Sequence, residues 1–360
     1  MSLSRRSLLA TLAQPLLAQG GPAPLPSEWG RYADSATEFE VLRLTGVEHS
    51  SVMAAAPGRR FDRRSRSLLY ASDRTGSWQA YVMDLGKGQS RALSMVEGLD
   101  AESLTFSADD RAVFLAAGPV IQSVTLNPLR SQDLCRVRGG WTRQGRLAPT
   151  EDGTSLFFCE TREKVSELRR VRLPKSMPET VMQRAGGMLE ATPNPRRAML
   201  LWLSEAGELW VGGFDGAGQR RVETPAGRVL QALWSPDGQS VYYLLAPADA
   251  AQLNAIREQE LDSRADSLLA RTSQFAAFCR NANATVFLGA SRSKASPTVL
   301  VLLRATRREF TLCEHKATDP HVVAPAFTPN SQKIVFQSDR EGKPALYMMN
   351  VERLIEKTDS

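Results

Sequence analysis

The stretch from His321 to Asn350, HVVAPAFTPNSQKIVFQSDREGKPALYMMN, cannot fold alone. It reads as three short apolar strands, Ala324 to Phe327, Lys333 to Gln337 and Ala345 to Met349, joined by the turns TPNS and SDREG. So small a sheet leaves both faces wet and needs copies of itself as neighbours. The chain supplies six: FDRRSRSLLY, FSADDRAVFL, PTEDGTSLFF, TPNPRRAMLL, LWSPDGQSVYY and CRNANATVFL. With Asp62, Ser107, Thr150, Thr192, Ser235, Arg280 and Thr328 taken as equivalent, the steps are about 42 to 48 residues, the spacing of propeller blades. The expected fold is therefore all-β, a single seven-bladed β-propeller of four-stranded antiparallel blades over residues 39–355. EVLRLT (Glu40 to Thr45) reads as the strand that closes the last blade, which otherwise ends after three strands and leaves an open edge.

Two stretches invite other readings. Ala250 to Ser273 has leucine spacing that suits a helix, but blade register makes LNAIREQEL a third strand and DSLLART a fourth. SDRTG (Ser72 to Gly76) nearly repeats SDREG (Ser338 to Gly342), and this match at both ends of the array assigns Asp73 and Asp339 to turn capping rather than to catalysis.

Residues 1–21 carry Arg5 and Arg6 ahead of the short apolar run LLATLAQPLLA and then small residues, the pattern of a twin-arginine or Sec-type export signal. No stretch is long and apolar enough to span a bilayer. The expectation is a mature protein that is periplasmic or secreted and monomeric, with 22–38 as a loose lead-in. The formal charge is +6, and its arginines are scattered without interleaved aromatics, which argues against nucleic acid as a partner. Cys135, Cys159, Cys279 and Cys313 are scattered without C-x-x-C spacing and read as buried free thiols.

EVLRLT, LLYASDRTGSWQAYVMDL and FTPNSQKIVFQSDREGKPALYMMNV together resemble the oligogalacturonate lyases, seven-bladed propellers of pectin breakdown. The SPDG-type turns also resemble the WD40-like (PD40) repeats of TolB-like proteins, which speaks to architecture and not to activity. The lyase resemblance implies β-elimination on short polygalacturonate chains. It also implies a divalent metal such as manganese, held by histidines and a glutamine on the central face, and a histidine base.

This chain has three histidines. His49 reads as an exposed or turn residue, His315 as solvent-facing beside Glu314 and Lys316, and His321 as a residue of the channel mouth. At the positions the family fills with metal ligands, the frame gives Thr318 and His321 before the last blade, Gln231 entering blade five, and Met188 or Glu190 entering blade four. His321 is thus the single candidate metal ligand, and a tight site wants three or four. The residues entering the inner strands at this mouth are Met53, Glu102, Arg143, Glu190, Gln231, Gln274 and His321. Among them Arg143, Glu190, Gln231, Gln274 and His321 are the candidate ligand-binding residues, with Arg143 the expected anion partner. On the same face, Arg162 and Lys164 stand within reach of a bound ligand.

Three functions fit these residues. The first is an exported module that binds an oligosaccharide or a protein on its central face after losing the lyase metal site. The second is a diverged polysaccharide lyase, with arginine neutralising the uronate carboxylate. The third is a TolB-like envelope scaffold.

Overall fold

The computed structural model describes residues 23–355 except 55, 175, 176, 250, 273 and 274. It contains seven antiparallel sheets, six of four strands and one of five, each a blade. Successive inner strands contact one another and so line an axis. They are Ser51–Val52, Thr105–Phe106, Thr142–Pro149, Met188–Pro193, Gly227–Trp234, Phe275–Arg280 and Ala326–Phe327.

The apolar runs explain how the blades stack. Side chains alternate faces along a strand, and a blade is covered on both faces, so its middle strands are apolar throughout rather than alternating. In Ser67–Ser72, Leu68 and Tyr70 pack toward blade seven while Leu69 and Ala71 pack toward blade two. The same division holds in Ser240–Pro247, where Tyr242 and Leu244 face blade six and Val241, Tyr243 and Leu245 face blade four. The buried residues consequently form seven clusters, one at each seam between neighbouring blades.

The turn after each inner strand has a chemical identity. Its first residue closes a backbone bond to the residue five positions on, at 2.8–3.2 Å, from Asp62, Ser107, Thr150, Asn194, Ser235, Asn281 and Thr328. In six of the seven a side-chain oxygen of that residue also accepts the N–H five positions on. The Ser235 hydroxyl meanwhile donates to Asp237, which helps to hold that carboxyl below its usual range. The fourth position takes φ between +57° and +71° at Ser65, Asp110, Gly153, Gly238, Ala284 and Ser331, which is why glycine recurs there. Asn194 and Asn281 replace Thr192 and Arg280 in the expected frame, because they make the backbone bond; Asn281 also accepts the N–H five positions on, whereas Asn194 Oδ1 accepts from the Arg196 and Arg197 N–H groups.

Blade seven closes as expected. Glu40–Arg43 pairs with Ala345–Asn350, Leu42 opposite Met348 and Arg43 opposite Tyr347. Gly30–Ala33 then adds a fifth strand, so part of the expected lead-in is ordered sheet. Tyr32 fixes it, edge-on to Tyr347 at 6.5 Å and accepting from Arg340 at 2.6 Å. In blade five Ala255–Glu260 and Asp266–Arg271 are strands, so register outweighs the helical spacing. Residues 1–21, which carry the expected export signal, lie outside the described residues. No helix among those described is long and apolar enough to cross a membrane.

Candidate functional site at the channel mouth

The two ends of the channel follow from the direction of the inner strands. The Ser/Thr/Asn turns sit at their C-terminal ends; the opposite end is built by the segments that enter them. Four of these strands are irregular near that entrance, with register shifts at Gln144/Ala148, Leu189/Thr192, Val229/Gln231 and Phe275/Ala277. A bulge re-aims side chains, and here it decides which residues meet at the axis.

In blade three the bulge is built on Gly145, at φ +68°. It directs Arg146 across the mouth, where the guanidinium binds Glu102 of blade two at 2.8 Å and pairs with Glu190 of blade four. Three blades are tied by one side chain. Burial raises the Glu190 carboxyl above its usual range, and the facing Arg146 opposes that shift. Arg143, the expected anion partner, instead turns to Asp100 and the Gly145 carbonyl, and its side chain is only 7% exposed. Sequence reading missed Arg146; the signal was the glycine inside the strand RQGRLAP, a marker of bulges.

Gln231 also differs from a free ligand. Its amide donates to the Phe278 carbonyl at 2.8 Å and accepts the Phe278 N–H at 2.9 Å, bridging blades five and six. Gln274 lies outside the described residues. His321 is exposed on the short helix Pro320–Val322, its N–H bonded to Asp319. Among the described residues no three His, Cys, Asp or Glu side chains assemble as a metal site. The described residues at the mouth therefore do not fit the metal centre that the resemblance implies: Gln231 is engaged, Glu190 is salt-bridged, and His321 is exposed on its short helix.

Beside Arg146 lies a cavity of about 350 Å³ between blades three, four and five, walled by Leu201, Leu203, Leu230 and Leu233 and by Ala56–Pro57. Two of its lining residues carry buried polar atoms without partners, Gln144 Oε1 and Trp202 Nε1. On the rim, Arg138 stacks on Trp141 at 3.9 Å and Arg162 at 5.0 Å; Arg162 and Lys164 are exposed.

His315 corrects an expectation. It is 1% exposed, with Nδ1 accepting from the Ala317 N–H and Nε2 facing the Ser291 carbonyl, both at 3.0 Å. This arrangement holds a neutral ring with its proton on Nε2, and burial lowers its pKa. A depressed folded-state value means that stability is complete above the unfolded value of about 6.5 and falls as the pH drops below it. The melting temperature of the wild type should therefore fall more steeply between pH 7 and pH 5 than that of His315→Gln. Parallel curves would show that His315 takes no part. Asp73 accepts from the Ser50 N–H and Asp339 from the Thr318 N–H, both at 2.8 Å, so each carboxylate ties a neighbouring segment rather than capping its own turn, which the N–H of a positive-φ glycine closes through the backbone. All four cysteines are free, three of them buried.

No family model matches the sequence. The chain is 22% identical over 390 residues to the oligogalacturonide lyase of Pectobacterium atrosepticum, spanning 93% of this chain and 98% of the relative. It is 22% identical over 373 residues to the oligogalacturonate lyase of Dickeya dadantii, spanning 89% and 95%. A solved oligogalacturonate lyase in complex with manganese superposes with a TM-score of 0.86 at 21% identity, over 92% of this chain and 98% of that one. The fold is thus that of an oligogalacturonate-lyase-like seven-bladed propeller, and the likeness runs nearly end to end.

Proposed function

We propose that this protein binds short acidic oligosaccharides of the oligogalacturonate kind across its central mouth, with arginine and not a metal ion as the counter-charge. The observation that carries this reading is a recess with apolar walls beside Arg146, under a rim that presents Arg162 and Lys164 to solvent. Arg146 itself is shared by Glu102 and Glu190 and ties the mouth together, the exposed rim cations meet the acid groups, and the recess takes a sugar ring. The expected site is periplasmic or extracellular, reached through an export signal in residues 1–21, and the expected form is a monomer.

A second reading is a lyase, favoured by end-to-end likeness to proteins that are lyases. Such a reaction removes the C5 proton of a uronate and breaks the bond from C4 to the leaving oxygen, giving an unsaturated sugar. Its carboxylate must be neutralised for that proton to leave, and arginine can do so. One calorimetric titration with trigalacturonate, followed in parallel by ultraviolet absorbance, separates the two. Saturable binding unaffected by EDTA and weakened about tenfold or more in Arg146→Met supports the binding reading. Metal-dependent turnover would replace it with the lyase, and no binding at all would overturn it.

A further inference from the structure

Arg60, two residues ahead of the turn residue Asp62, is left by the fold in an expensive state. It lies ahead of Ser67–Ser72 in blade one and is 8% exposed. Its Nη1 donates to the Ala324 carbonyl at 3.0 Å, beside the inner strand of blade seven. That is its side chain's one protein partner among the described residues, and no carboxylate lies within ion-pairing distance of it. The groups that act on its charge are the thiol of Cys279, the like-charged Arg146 and Glu102, and Glu102 is already engaged by Arg146. Burial draws the Arg60 guanidinium down to about 10, so it stays cationic at neutral pH. Arg169, buried to the same extent, differs in having Glu167. A buried charge that lacks a carboxylate costs stability unless something else supplies the negative partner.

We infer that Arg60 is the carboxylate-binding group of this channel. It takes one carboxylate of an acidic sugar in charge-assisted hydrogen bonds from the edge of its guanidinium that Ala324 leaves free. Glu102 and Glu190, which share the single cation of Arg146, retain lone pairs for the sugar's hydroxyl groups. The ligand class that satisfies both is a sugar bearing a carboxylate next to free hydroxyls. This inference rests on the proposed binding of acidic oligosaccharides.

The test compares trigalacturonate with its fully methyl-esterified, uncharged form, titrated into wild type, Arg60→Met and Arg60→Lys, alongside melting temperatures without ligand. The wild type should prefer the acid, and Arg60→Met should lose roughly tenfold to hundredfold of that preference with little change toward the ester. Arg60→Lys should keep part of it, because the charge remains while the planar fork is lost. Without ligand, Arg60→Met should melt at or above the wild-type temperature, since an uncompensated buried charge has gone. A variant that melts lower and binds the acid as tightly as wild type would make Arg60 a strut for Ala324 and overturn the inference alone. Wild-type protein that binds neither form would overturn the binding reading and this inference together.

Discussion

Deleting the chain through Gly46 should turn the closed ring into open, associating sheets. The deleted segment carries Val41 and Leu44, both fully buried, and Leu42, 8% exposed, which enter the clusters on the two seams of blade seven. Each aliphatic side chain buried is worth about 1.5–3 kcal/mol, so the three together approach the whole stability of an ordinary domain, about 5–15 kcal/mol. The deletion also strips the hydrogen bonds from Ala345–Asn350, including that from the Leu44 N–H to the Leu346 carbonyl at 2.7 Å. The result is a bare apolar edge, a template for pairing with another chain. Size-exclusion chromatography and a thermal melt read the outcome. A cooperative monomer melting within a few degrees of the full chain would show that closure lies elsewhere. Removing only the residues through Phe39 should be milder, because the pairing strand Glu40–Arg43 remains.

Arg138→Ala should be the most damaging single substitution near the mouth. Its guanidinium holds Glu160 and Glu167, both at 2.7 Å, and its own N–H adds a bond to Glu160 at 3.2 Å. Glu160 is fully buried and Glu167 is 7% exposed. Glu167 keeps Thr180 and Arg169, whereas Glu160 loses its one ion-pair partner. Leaving such a carboxylate unpaired costs about 3–5 kcal/mol, or a fall in melting temperature of roughly 5–10 °C for a chain of this size. Denaturant melts of wild type and variant decide it. A small gap would mean that the pocket rearranges to hydrate Glu160. Trp141 would also lose its stacked guanidinium, so tryptophan fluorescence offers an independent sign that the rim has moved.

The blade count was legible in the sequence because the turns are local. A serine, threonine or asparagine that closes a six-residue loop on itself leaves the same signature wherever it occurs. The frame slipped by two at Thr192 and by one at Arg280. TPNPRR offers two turn-like starts, and CRNAN hides its acceptor behind an arginine. The mouth was less legible, since what faces the axis depends on where each inner strand bulges. The glycine of RQGRLAP marks such a bulge, but whether Arg143 or Arg146 reaches the centre depends on strand pairing with Ser155–Arg162. His315 was misplaced for a related reason. Its charged neighbours suggested solvent, while the backbone bond from its N–H to the Pro297 carbonyl pulls it under the turn that follows Val286–Ser291. Burial of a single polar side chain is a tertiary fact, and local pattern carries little of it.

The self-contained turns have a consequence for how such a chain can change over time. Each draws its hydrogen bonds mainly from residues within its own loop, and all lie at the ends of the inner strands farthest from Arg146. Substitutions at the mouth therefore leave the devices that set blade number and spacing untouched. One rim of the ring works as the frame and the other as an exchangeable fitting. A chain at 21% identity can then keep a TM-score of 0.86 to a solved oligogalacturonate lyase while its mouth is free to vary.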